Sequence, residues 1–194
     1  IAIIAPLVSD VLYTSLEREL RIQNITNYMK RASRPLIEEP YTKCFLILMA
    51  LLHPEWGTTP RMLDICEMFQ RFIPGLDPIR GQILVSYSFK KKSDPNTQSE
   101  KYDVLPLSAF QQKVNSRLST DFLACYETFR IWLNKNTSSS EPPDITLTRF
   151  FHEILTSKGF AANNGIINPL SSGIQNVIES VRKCRMTIEA TDSN

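Results

Sequence analysis

Residues 34–56 read RPLIEEPYTKCFLILMALLHPEW, and this stretch decides the fold. Pro40 stands where the first turn of a helix tolerates a missing N–H. From residue 44 to residue 52 nearly every side chain is apolar, so the expected helix has no wet face and other elements must wrap it. The run falls short of the roughly 20 apolar residues a membrane span needs, so no membrane partner is expected. His53-Pro54 ends it, because a residue before proline is pushed out of helical geometry.

Working outward, the chain after this helix reads as further helices. Thr58-Thr59-Pro60 gives a cap with proline at the first helical position, and Leu63, Cys66, Met68, Phe69 and Phe72 give an apolar face. Pro74-Gly75 breaks that helix, and Asp77-Pro78 repeats the cap-plus-proline signal. Residues 85–89 fit either a helix end or a strand. Apolar residues spaced by three or four predict one long helix over 107–133, with Ser119-Thr120-Asp121 as a point where it divides. Asp144 or Thr146 is expected to cap the next helix, which Lys158-Gly159 closes. Asn163-Asn164-Gly165 reads as a turn, and Ile174, Val177, Ile178 and Val181 mark a last helix.

Before the central stretch the pattern differs. Residues 1–5 are a short aliphatic run expected as a buried strand, Ser9 or Asp10 caps a helix, and residues 25–29 read as a second extended piece. The expected fold is therefore mainly α: a helical bundle over residues 57–186 attached to a small α/β stub over residues 1–56, with residues 187–194 as a tail.

Size and composition allow this. A chain of 194 residues buries roughly 70% of its unfolded surface without covalent staples. The net charge of +2, from 22 basic and 20 acidic residues, neither demands nor excludes a nucleic-acid partner. The four cysteines, at 44, 66, 125 and 184, lie far apart, and three sit on apolar helical faces. They read as small buried hydrophobes in a reducing, cytoplasmic setting. No basic leader precedes the first aliphatic run, and a start at Ile1 is expected of a piece of a longer protein.

Two basic clusters stand out. Lys30, Arg31 and Arg34 follow the second extended piece, and Lys90, Lys91 and Lys92 open a polar stretch, KKKSDPNTQSEK, expected as a mobile loop. Both are candidate phosphate contacts; a solvated turn and a solubilising loop are the plainer readings. Catalytic chemistry is sparse. There is no phosphate-binding Gly-x-x-x-x-Gly-Lys-Ser/Thr loop, no dinucleotide glycine triplet and no Gly-x-Ser-x-Gly elbow. His53 and His152 have no partners at metal-binding spacing, and Glu38-Glu39 diverge in an extended segment. No catalytic residue, metal site or cofactor is expected within this chain.

The ordered features of residues 1–56 resemble the start of the C-terminal motor half of UvrD/PcrA/Rep-type superfamily 1 DNA helicases. That region has an aliphatic strand (IAIIAP), a helix with a Leu-Glu pair (SLERELRIQNI) and a tyrosine-bearing strand (TNYM). An extended acidic segment comes next, then an apolar helix stopping at proline plus acid or aromatic (RPLIEEPYTKCFLILMALLHPEW). The resemblance is nearest to divergent UvrD-like proteins of the cyanobacterial type. In the family this helix leaves the domain called 2A for an inserted helical domain called 2B, so residues 57–185 would be a 2B-like insertion. The chain departs from the pattern where the family strand ends Tyr-Arg, after the extended segment, and after Pro60-Arg61, where the Pro-Pro-Arg-Gly-Ile-Gly signature is absent.

The resemblance implies a non-catalytic accessory part of an ATP-dependent DNA helicase acting in repair or recombination. Its partners would be DNA and the remaining helicase domains, and ATP and Mg would be bound by the parent's other segments. The alternative is a helical protein–protein interaction module with no affinity for nucleic acid. A small-molecule enzyme is disfavoured, because candidate acids, bases and nucleophiles do not cluster.

Overall fold

The computed structural model describes residues 40–93, 100–161 and 167–192, with the isolated positions Glu19 and Gln23. The chain divides after Arg34 into two units, and the second begins at Pro35. The elements of this second unit are, in order, α1 (Pro40–Leu52), a 3-10 turn (Pro54–Trp56), α2 (Met62–Phe72), α3 (Pro78–Ser88), β1 (Phe89–Ser93) and β2 (Glu100–Val104). A second 3-10 turn (Leu107–Ala109), α4 (Gln111–Val114), α5 (Thr120–Asn136), α6 (Pro143–Phe150), a π-helical turn (Phe151–Leu155) and α7 (Ile167–Asp192) complete it. The fold is mainly α. The expected strand at 1–5, the helix capped at Ser9 or Asp10, the extended piece at 25–29 and the turn at 163–165 lie outside the described residues.

α1 runs through the core, as its apolar sequence demands. Cys44, Phe45, Ile47, Leu48, Met49 and Leu52 are buried, packed among α2, α5 and α7. The wrapping is not complete: Leu46 is 63% exposed, because no described element covers that stripe of the helix. α1 shares one continuous core with the helices that come after it.

Phe150 of α6 is the hub of that core. Its ring meets Trp132 at 4.9 Å, Phe72 at 5.2 Å, Phe129 at 6.2 Å and Phe45 at 6.5 Å, with tilted or edge-on geometry throughout. Such pairs add about 0.5–1.5 kcal/mol each beyond simple burial. A second set of rings, Phe69, Phe89, Phe110 and Tyr126, continues the core toward the hairpin.

Several local expectations hold and several shift. Asp77 caps α3, accepting from the amides of Ile79 and Arg80 at 2.9 Å each, with Pro78 at the first helical position. α1 stops at Leu52, just before His53-Pro54. α2, however, starts at Met62 with Arg61 before it rather than at Pro60, and Arg61 clamps Asp64 at 2.9 and 3.1 Å in place of a side-chain cap. The helix expected over 107–133 divides at Ser119, as its sequence allowed: Ser119 caps α5, accepting from Phe122 N at 3.4 Å, but a 3-10 turn and one turn of α4 stand before it in place of a first long helix. Neither Asp144 nor Thr146 is a cap, because α6 begins at Pro143 and both side chains are buried. α7 runs on to Asp192, through most of the stretch expected as a tail.

The region expected to be a mobile loop is the largest correction. Lys90, Lys91 and Lys92 lie in β1, paired antiparallel with β2 so that Lys90 faces Asp103, Lys91 faces Tyr102 and Lys92 faces Lys101. Phe89 anchors the strand: it is buried and meets Tyr102 edge-on at 5.9 Å. Tyr102 in turn donates its hydroxyl to the Pro60 carbonyl at 2.9 Å. Lysines alternating across a hairpin satisfy the strand without any apolar pattern, so the sequence showed only polarity.

Candidate functional site

α1, the hairpin and the end of α5 border a cleft of about 400 Å³. Ala50, Leu51 and Pro54 form one side, Lys101, Tyr102, Asp103 and Val104 another, and Asn134, Thr137 and Ser138 a third. Pro54 and Thr58 both line it, and between them in sequence stands Trp56.

A rigid turn holds Trp56. Its ring stacks on His53 with centroids 4.4 Å apart and planes 9° from parallel, while Trp56 remains 54% exposed. His53 is buried, and its Nδ1 lies 2.7 Å from Glu55 Oε1. The other carboxylate oxygen of Glu55 accepts from Ser138 Oγ at 3.3 Å. Ser138 adopts φ +55° and donates its amide to the Leu52 carbonyl at 2.7 Å, closing the C-terminal end of α1. A left-handed non-glycine residue is costly and persists where its surroundings enforce it. Glu55 is held below the ordinary carboxylate range, first by its own backbone amide and then by His53.

The arrangement is not a hydrolytic triad. Glu55 sits between Ser138 and His53, so the serine hydroxyl bonds to the carboxylate and not to the imidazole that a triad places there. Among the described residues no group of His, Cys, Asp and Glu is placed to hold a metal ion. Nor is any described helix long and apolar enough to cross a membrane.

The sequence-derived candidates divide. Lys30, Arg31 and Arg34 lie outside the described residues. Lys90 donates to the Ser86 carbonyl at 2.8 Å, so its charge rests on the C-terminal end of α3. Lys92 pairs with Asp103 at 2.7 Å, which neutralises the acid that borders the cleft. Lys91 lies on the opposite face of β1 by strand alternation. His152, in the π-helical turn, is exposed and meets Phe151 edge-on at 5.2 Å. Ser138 carried no functional signal in the sequence; Trp56 closed the stretch that carries the family resemblance, and Lys101 ended the polar stretch opened by Lys90.

Comparison of the chain with protein-family models, with curated proteins and with solved structures finds no match.

Proposed function

We propose that this chain is a non-catalytic accessory domain of a UvrD-like, ATP-dependent DNA helicase or recombination protein. In this reading it positions DNA or regulates the motor, and ATP with Mg is bound elsewhere in the parent. One observation carries it: the order of features in residues 1–56, closing on an apolar helix that stops at His53-Pro54-Glu55-Trp56. The helical body after α1 is of the kind an inserted 2B-like domain would supply at that point.

The test is ATPase and DNA-binding measurement on the chain by itself. The expected result is no ATP turnover and modest DNA binding that weakens steeply with salt. Robust ATP turnover by the chain alone would reject the proposal. Salt-independent capture of a protein partner, with no DNA binding, would replace it with the helical interaction module.

A further inference from the structure

The Trp56–His53 stack is a built platform: His53 covers one face of the indole, and the residue is 54% exposed. A lone exposed tryptophan signals nothing, but this one is held by a relay of contacts. His53 fixes the ring plane, Glu55 fixes His53, and Ser138 ties Glu55 to the end of α1 at the cost of a left-handed backbone. A platform so preorganised loses little freedom when a further flat ring lies on it.

Its surroundings select what that ring is. The cleft that Pro54 and Thr58 border is also lined by Asn134, Thr137, Ser138 and Lys101, the Thr137 and Ser138 hydroxyls donating to the Leu133 carbonyl and to Glu55. Leu51, Pro60 and Val104 line the cleft too, so a ring that enters it meets apolar as well as polar surface. A nucleobase would find a stacking face for its ring, donors and acceptors for its edge, and a cation for the phosphate next to it. Asp103, the acid at the cleft, is already paired with Lys92 and so repels a phosphate less.

We propose that Trp56, backed by His53, stacks a base of single-stranded nucleic acid, with Lys101 contacting the backbone phosphate. This rests on the reading that the chain works on DNA and places a contact outside the basic residues picked from sequence. The chain has two tryptophans, and Trp132 is 5% exposed, so fluorescence quenching by a ligand reports Trp56.

The experiment titrates the chain and its variants into a fluorescein-labelled twelve-residue oligothymidylate and into an abasic oligonucleotide of equal length, reading affinity from fluorescence anisotropy and, for the unaltered chain, from quenching of Trp56 as well. The expected result is saturable quenching by the first, and affinity lowered about tenfold both by Trp56→Ala and by the abasic strand. Trp56→Phe should keep most of the affinity, and Lys101→Gln should lower the salt slope by about one phosphate. Trp56→Ala should still unfold cooperatively on heating, and Trp56→Phe keeps a ring against His53. If Trp56→Ala binds oligothymidylate as tightly as the unaltered chain, the platform is overturned while the DNA reading stands. If neither binds at low salt, both fall. Quenching by a proline-rich peptide but not by oligothymidylate would overturn the platform in favour of a protein ligand.

Discussion

Asp144, near the start of α6, receives both prongs of the Arg185 guanidinium from α7, at 2.9 and 3.1 Å, across 41 residues of chain. The carboxylate is 3% exposed, and Arg182 approaches it at 3.8 Å. A buried carboxylate is tolerable because a forked cation meets it in the matching geometry. Removing a partner from such a pair leaves a buried polar group without compensation. Arg185→Ala, which strands the buried Asp144 carboxylate, should therefore destabilise the chain by about 3 kcal/mol in urea unfolding, with α7 losing amide-exchange protection around position 185 first.

The same pair sets an acid limit. Arg185, and more weakly Arg182, hold the Asp144 carboxyl below the ordinary carboxylate range against the opposing effect of burial. Asp64, clamped by Arg61 and then Lys43, lies well below it too. A depressed folded pKa means the stabilisation is complete above the unfolded value of roughly 3.9 and disappears as pH falls through the folded value. Stability from urea melts should be flat with respect to these groups near neutrality and drop below about pH 4. In Asp144→Asn that acid-side slope should be shallower.

Phe150 offers a sharper test of the core. Its ring touches four other aromatic rings, and it is fully buried. Phe150→Ala removes that hub and leaves a cavity that stiff neighbours cannot close. The expected loss is about 3–5 kcal/mol, read from denaturant midpoints. Ile79→Ala, at a site 73% exposed, should change stability by less than about 0.5 kcal/mol.

Gly81 and Cys66 pack so closely that a methyl group at Gly81 would stand 2.9 Å from the Cys66 sulfur. In an open helix, glycine to alanine gains up to about 1 kcal/mol. Here overpacking costs about 1–3 kcal/mol, and the sulfur is pinned by Gln70 at 3.0 Å, so the clash wins. Gly81→Ala should lower the melting temperature. The double variant with Cys66→Ala should recover most of the loss, because the obstructing atom is gone.

Thiol reactivity separates the cysteines. Cys44, Cys66 and Cys125 are buried, and Cys184 is exposed on α7. Burial pushes the Cys44 thiol up to about 11 and raises Cys66 and Cys125 as well. With an aromatic disulfide reagent at pH 8, one thiol per chain should react promptly and the other three only on unfolding. Replacement of Cys184 by serine should abolish the prompt phase.

The buried helix was legible because nine successive mostly apolar residues admit few alternatives, and Asp77-Pro78 because a cap is a local hydrogen bond. The hairpin was not. Its strand carries Lys90, Lys91 and Lys92, and what makes it a strand is the anchoring of Phe89 against Tyr102 and the pairing with Glu100–Val104. The break near Ser119 was visible as a weak cap, but the loss of helix before it was not, since the apolar spacing there continues unbroken.

From sequence alone came the helical class, the placement of α1 and its stop at Leu52, and the want of a recognisable catalytic motif. These come from periodicity, caps and prolines, whose effects act within a few residues. Which side chains meet was settled in three dimensions: Ser138 with Glu55 across 83 residues, Asp144 with Arg185, and Lys101 with Pro54 around one cleft. Such meetings depend on how whole helices pack, and no short-range preference encodes them.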